Sequence, residues 1–152
     1  MRAKVIDKQA ETSAPPDEVY ALLADGATWP TWSGIGSFEL EQPGDGGGET
    51  LNAIRVFRTG RTVSRERLVE LIPGQRLSYA LLTGLPLREY RADVDLTPST
   101  GGTTIRWRST FYPRRRGTGW FYRLVLGAFI GRCVRGLAEH ASTTMPATSR
   151  DQ

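Results

Sequence analysis

GTGWFYRLVLGAFIGRCVRGLAEHA, residues 117–141, is the long segment of this chain with helical rather than strand-like spacing. At about 100° per residue, Tyr122, Leu126, Phe129, Ile130, Cys133 and Leu137 fall on one broad face. Arg132, Arg135 and Glu139 fall opposite. A helix of this length would be roughly 37 Å long, enough to cross a small domain. With one apolar face, it needs a sheet to bury it. Gly127 and Gly131 form a GxxxG on its flank, read here as close approach of the helix to that sheet rather than as a membrane dimer face.

The sequence before the helix supplies the sheet. From Glu49 onward it reads as an antiparallel meander: 50–58, 61–72, 76–82, 87–96 and 103–112, with Gly or Pro at every connection. Alternation assigns the faces. Ile105, Trp107 and Phe111 share one face of the last strand; Tyr90, Ala92, Val94 and Leu96 share one face of the strand before it, and Arg88 is in phase with them. Leu77, Tyr79 and Leu81 form the next apolar row. In 61–72 the apolar phase is Val63, Val69 and Leu71, which carries Arg65 and Arg67 inward, and the partner phase is Ile54 and Val56. A single bulge would invert this pair and turn Arg55 and Glu66 inward instead.

Upstream, 3–12 suits an edge strand. Ser13-Ala14-Pro15-Pro16-Asp17-Glu18 starts a helix that runs to about Ala24, with prolines in the first turn and acids at the positive end. ATWPTW, 27–32, forms a second short helical turn that places Trp29 and Trp32 on one side. Residues 35–41 form another strand. The Gly-rich loop 43–48 has no GK[ST] and no following helix, so it reads as an inter-strand connection and not a phosphate loop.

The 152 residues suit a single domain, 1–144, followed by a flexible tail, 145–152. Cys133 is the single cysteine and His140 the single histidine, which excludes an intrachain disulfide framework and a CxxC metal site. No acid cluster suggests a metal, and no cofactor motif occurs. No run approaches the ~20 apolar residues of a membrane span, and the N-terminus lacks an apolar signal region, so the expected location is the cytoplasm. Net charge is +4, and Arg114, Arg115 and Arg116 form the sharpest basic cluster. Without a nucleic-acid motif this charge does not indicate nucleic acid as the partner.

Four segments in this order resemble a known family: 13–32 (SAPPDEVYALLADGATWPTW), 65–86 (RERLVELIPGQRLSYALLTGLP), 90–113 (YRADVDLTPSTGGTTIRWRSTFYP) and the closing helix. The chain is similar to the SRPBCC superfamily, the helix-grip fold of START-type lipid-transfer and birch-pollen-allergen-like proteins, and most of all to its bacterial polyketide cyclase/dehydrase and lipid transport group. The resemblance covers about 3–142. It implies an α+β helix-grip fold: a curved antiparallel sheet of about seven strands wrapped on a long C-terminal helix, with two short helices after strand one. It also implies a hydrophobic cavity beneath that helix. It does not imply one activity, because members range from cyclases to carriers and receptors.

The expected partner is therefore a small hydrophobic or amphipathic ligand, bound by a monomer or homodimer. The expected contact residues are Trp32, Ile54, Arg67, Val69, Tyr79, Leu81, Arg88, Tyr90, Trp107, Phe111, Leu126, Phe129, Ile130 and Cys133. The alternatives are a polyketide cyclase or dehydratase and an interaction domain acting through the Arg114–Arg116 loop. Aldol chemistry wants a proton acceptor and a donor to the enolate oxygen. Arg67, Arg88, Tyr79 and Tyr90 are the candidate donors, and Glu66 is a base only if its strand is inverted.

Overall fold

The computed structural model describes residues 2–143; the expected tail, 145–152, lies outside them. β1 (Lys4–Thr12) leads into α1 (Pro16–Ala24), a 3-10 turn (Gly26–Thr28) and α2 (Trp29–Ser33). Six strands follow: β2 (Ser37–Gln42), β3 (Ile54–Thr59), β4 (Thr62–Ile72), β5 (Arg76–Thr83), β6 (Leu87–Ser99) and β7 (Gly102–Pro113). The chain closes with α3 (Gly119–Thr143). The strands form one antiparallel sheet in the order β1-β7-β6-β5-β4-β3-β2. β1 is thus an edge strand, and α3 packs along it and against β7, α1 and α2.

Local chemistry explains the boundaries. Pro16 opens α1 with Asp17 and Glu18 in its first turn, where a missing N–H costs nothing and negative charge meets the helix dipole. The Asp25 carboxylate accepts from the Ala27 N–H at 3.2 Å and caps the 3-10 turn. Gly34, at φ 85°, ends α2 in the left-handed region that glycine tolerates.

The concave face of the sheet holds the core. Ile105, Trp107 and Phe111 of β7, Ala92, Val94 and Leu96 of β6, and Leu77 and Tyr79 of β5 are buried there against Leu126, Ile130, Cys133, Val134 and Leu137 of α3. On β5 and β6 the opposite face is charged: Arg76 bonds Asp95 at 2.6 Å, and Arg91 bonds Glu70 of β4 at 2.7 Å.

The glycine reading of α3 needs correction. A Cβ on Gly127 would stand 3.8 Å from Lys8 Cε, an ordinary contact, and one on Gly131 would meet only Arg135 of the same helix at 3.1 Å. Close approach occurs instead at Gly136, where a Cβ would overlap the Trp32 carbonyl oxygen of α2. The constraint comes from the short helix and not from the sheet.

Four of the expected inward residues, Ile54, Arg67, Val69 and Arg88, are also placed differently. β4 is bulged twice against β5, between Arg65 and Glu66 and between Leu68 and Glu70. Glu66 and fully buried Leu68 therefore face the core, and Arg67 is exposed. Val69 is the extra residue of the second bulge and is half-buried outside the core. On β3, Arg55 and Phe57 point inward; Ile54, paired with Arg67, is buried on the opposite face. In β6 a further bulge lies between Arg88 and Arg91, with Glu89 at φ 53°. The extra residue brings both Leu87 and Tyr90 inward and leaves Arg88 exposed.

Candidate functional site

The inward phase of β3 to β6 and the first half of α3 enclose a cavity of about 230 Å³. Five of the residues expected from sequence line it: Tyr79, Leu81, Tyr90, Leu126 and Phe129. Trp29, Ile35, Phe57, Leu85 and Val125 complete its apolar wall, and Thr59, Thr62, Ser64 and Glu66 supply polar groups. Trp32, Trp107, Phe111, Ile130 and Cys133 do not line it; they are buried in the core. Ile54, Arg67, Val69 and Arg88 also lie off its wall.

The aromatic wall is a connected cluster. Trp29 stacks on Phe57 at 4.9 Å between ring centroids and touches Trp32 at 4.8 Å and Trp107 at 5.6 Å. Tyr79 and Tyr90 lie 6.3 Å apart, and Tyr90 stacks on Phe111 at 6.2 Å. Such contacts fix ring orientations beyond what burial alone does. Trp29 is anchored further by its indole N–H, which donates to the Leu23 carbonyl at 3.0 Å.

Two charged residues meet this cluster. Arg55 is fully buried, with its guanidinium 4.9 Å from the Trp29 ring and 5.2 Å from the Phe57 ring. Its Nη1 donates to the Leu23 carbonyl at 3.0 Å and to Glu49 at 3.3 Å. Its Nε and Nη2 are buried without a hydrogen-bond partner among the described residues. Glu66 stands directly across the ladder from Arg55. Its Oε1 is likewise buried without a partner, while the residue as a whole keeps some exposure. Burial pushes the Glu66 carboxyl up to about 7, and the charge of Arg55 opposes that rise. Burial also holds the Tyr79 and Tyr90 hydroxyls well above the ordinary tyrosine range; the Tyr90 hydroxyl bonds Ser109 Oγ at 3.0 Å. The Cys133 thiol is pushed up to about 12 by burial, with the Glu66 charge adding to the rise. Cys133 is thus an unreactive thiol at neutral pH.

The site therefore combines an apolar pocket, two protonated phenols and one carboxyl whose charge is balanced between desolvation and a neighbouring arginine. Glu66 and Arg55 follow from the inverted strand phase. One signal for it is already present in the sequence. The phase that buries Val63 and Val69 also buries Arg65 and Arg67 with no acid, whereas the other sets Glu66 opposite Arg55, with Glu70 in the same phase until the second bulge turns it out. Unpaired buried charge is the costlier choice.

Residues 4–142 match the family described as polyketide cyclase / dehydrase and lipid transport. The chain belongs to this family. Its SRPBCC relatives typically bind hydrophobic ligands. Solved structures of the same architecture include a START superfamily protein from Mycobacterium smegmatis (TM-score 0.79, 11% identity, covering 93% of this chain and 99% of that one). A protein from Thermobifida fusca matches with a TM-score of 0.75 and 24% identity over 91% of this chain and 93% of its own. Ara h 8.0201 matches with a TM-score of 0.73 and 14% identity over 94% and 100%. At these identities the likeness shows the fold alone. No curated protein matches the sequence. Among the described residues no helix is long and apolar enough to cross a membrane.

Proposed function

We propose that this family member binds a small amphipathic molecule, with its apolar body against Trp29, Phe57, Leu81 and Phe129 and its polar group at Glu66, Tyr79 and Tyr90. The observation that carries this reading is the buried, unpartnered Glu66 Oε1 on the wall of an otherwise mostly apolar cavity. Pockets for drug-sized ligands hold roughly 300–1,000 Å³. A cavity of about 230 Å³ suits a ring system or a short chain and is too small for a two-tailed lipid without opening.

The carboxyl gives this reading a pH signature. A neutral ligand that fills the cavity removes residual water from Glu66, which favours the protonated form further. Its affinity should therefore be greatest below about pH 7 and fall as the pH rises through that value. Thermal-shift screening of fatty acids, sterols and flavonoids at pH 6 and pH 8 tests this. The expected result is a hit with a larger shift at pH 6, and a Glu66→Gln variant in which the two shifts are equal. No hit at either pH would contradict binding; a hit with no pH dependence in the wild type would contradict the role of Glu66.

A specific observation also favours a second reading, turnover in the same cavity. A carboxyl near pH 7 has the strength of a general base at neutral pH, and tyrosines held in the protonated form keep a proton to donate. Glu66 would take the α-proton of a bound ketone while a tyrosine hydroxyl donates a hydrogen bond to the developing enolate oxygen; the enolate carbon would then attack a second carbonyl of the same chain, and the proton held by Glu66 would pass to the alkoxide so formed. With a poly-β-ketone mimic, Glu66→Gln should lower the turnover rate by about 10²-fold or more while the mimic still binds. Undiminished turnover would remove Glu66 as the base.

A further inference from the structure

The face of α3 opposite the sheet changes character along its length. In the later turns it carries Arg132, Arg135 and Glu139, all exposed. In the first turns the same face carries Trp120 at 64% exposure, Phe121 at 49%, Leu124 at 66% and Val125 at 51%. These four large apolar residues stand together in water. Scattered exposed apolar residues need no explanation, but a contiguous patch does. Val125 also belongs to the cavity wall, so the patch begins where the cavity opens.

The same end of the molecule is basic. Antiparallel pairing brings the β3–β4 turn, the β5–β6 turn and the β7–α3 connection to one edge of the sheet. The Arg114 N–H donates to the Pro86 carbonyl at 3.0 Å and ties two of these loops together. Exposed Arg61, Arg88, Arg114, Arg115, Arg116 and Arg123 ring this end, with the exposed acid Glu89 beside Arg88 at the start of β6. A surface cleft beside the patch brings Arg2, Lys4 and Arg116 next to Trp120.

We propose that this end of the molecule docks on an anionic lipid bilayer, with Trp120, Phe121 and Leu124 entering the interface and the arginine ring meeting lipid phosphates. A tryptophan and aliphatic residues within a rim of long cationic side chains is the composition that an interface of this kind recognises. A nucleic acid would use the charge but leave Leu124 and Phe121 in water. Because no described helix can span a bilayer, the contact is peripheral. It sets the cavity mouth against the membrane, and it does not require the cavity to be filled.

Vesicle flotation with the full chain tests the proposal. Vesicles of phosphatidylcholine with about one-third phosphatidylglycerol should bind it at low salt, vesicles of phosphatidylcholine alone should bind far less, and high salt should release it. Trp29, Trp32 and Trp107 are buried, so a blue shift of tryptophan emission on vesicle addition, with quenching by brominated lipid, reports Trp120. A joint Arg114→Ala, Arg115→Ala, Arg116→Ala variant should weaken binding on the order of a hundredfold. A Trp120→Ser, Leu124→Ser variant, changed only at exposed positions, should weaken it at least about tenfold. The proposal is overturned if anionic vesicles do not retain the chain at low salt, or if the serine variant binds them undiminished. It is equally overturned if the chain forms a dimer that the serine variant dissociates while neither binds vesicles, or if an oligonucleotide binds and vesicles do not.

Discussion

Glu66 and Arg55 face each other across adjacent strands, and both keep buried polar atoms without a partner. Their energetics make distinct predictions. The Glu66 carboxyl lies at about 7 in the folded chain against an ordinary 4.5, so the folded state holds its proton longer than the unfolded state. Stability should then fall as the pH rises from 4.5 to 7, by about 3 kcal/mol in total, and be flat for this group outside that window. In denaturant titrations Glu66→Gln should match the wild type near pH 4 and exceed it by up to that amount at pH 8. Equal stabilities at pH 8 would show that the carboxyl is not desolvated. Arg55→Ala should cost about 3–5 kcal/mol, because it strips Glu49 and Glu66 of a buried countercharge. It should also extend the pH slope above 7, since the arginine is what holds the Glu66 carboxyl down. At this scale the sequence was only half legible. Alternation placed Tyr79, Leu81 and Tyr90 on the inward face, where the structure has them. It misplaced Arg67 and Arg88 because a single extra residue at each bulge inverts every side chain beyond it, and the register of a bulge is set by the partner strand.

At the scale of elements, the turns were the most legible part. Thr59-Gly60, Pro73-Gly74 and the 98–102 loop mark the hairpins where the structure has them, because their backbone needs are local. The packing of α3 was less so, because the sequence does not say which neighbour a glycine meets. Gly136→Ala should destabilise the fold by about 1–3 kcal/mol, since the Trp32 carbonyl lies where the methyl would go. Gly127→Ala, with only the flexible Lys8 end nearby, should be neutral or stabilising by up to about 1 kcal/mol through helix propensity. Melting temperatures of the two variants check this; the reverse order would mean that α3 is held against the sheet at Gly127 and not against α2.

For the whole molecule, the fold followed from the order of its elements: one strand, two short helices, a meander and a long amphipathic helix with a sheet to cover. The cavity itself was not deducible from that order. Its position depends on which aromatic rings fill space completely, as Trp107 and Phe111 do, and which leave a gap, as Trp29, Phe57 and Tyr79 do beside Phe129. The placement of Trp29 on the wall, with Trp32 one turn away in the core, is of the same kind: the two share a side of α2, and only the tertiary packing separates their roles. The central claim is that this gap is a ligand site. It is tested most directly by native mass spectrometry of the wild type and a Leu81→Trp variant against the same fatty acids, sterols and flavonoids. The account predicts a one-to-one adduct with the wild type that the added indole abolishes in a variant that still folds. No adduct with the wild type, or an undiminished adduct with Leu81→Trp, would contradict it.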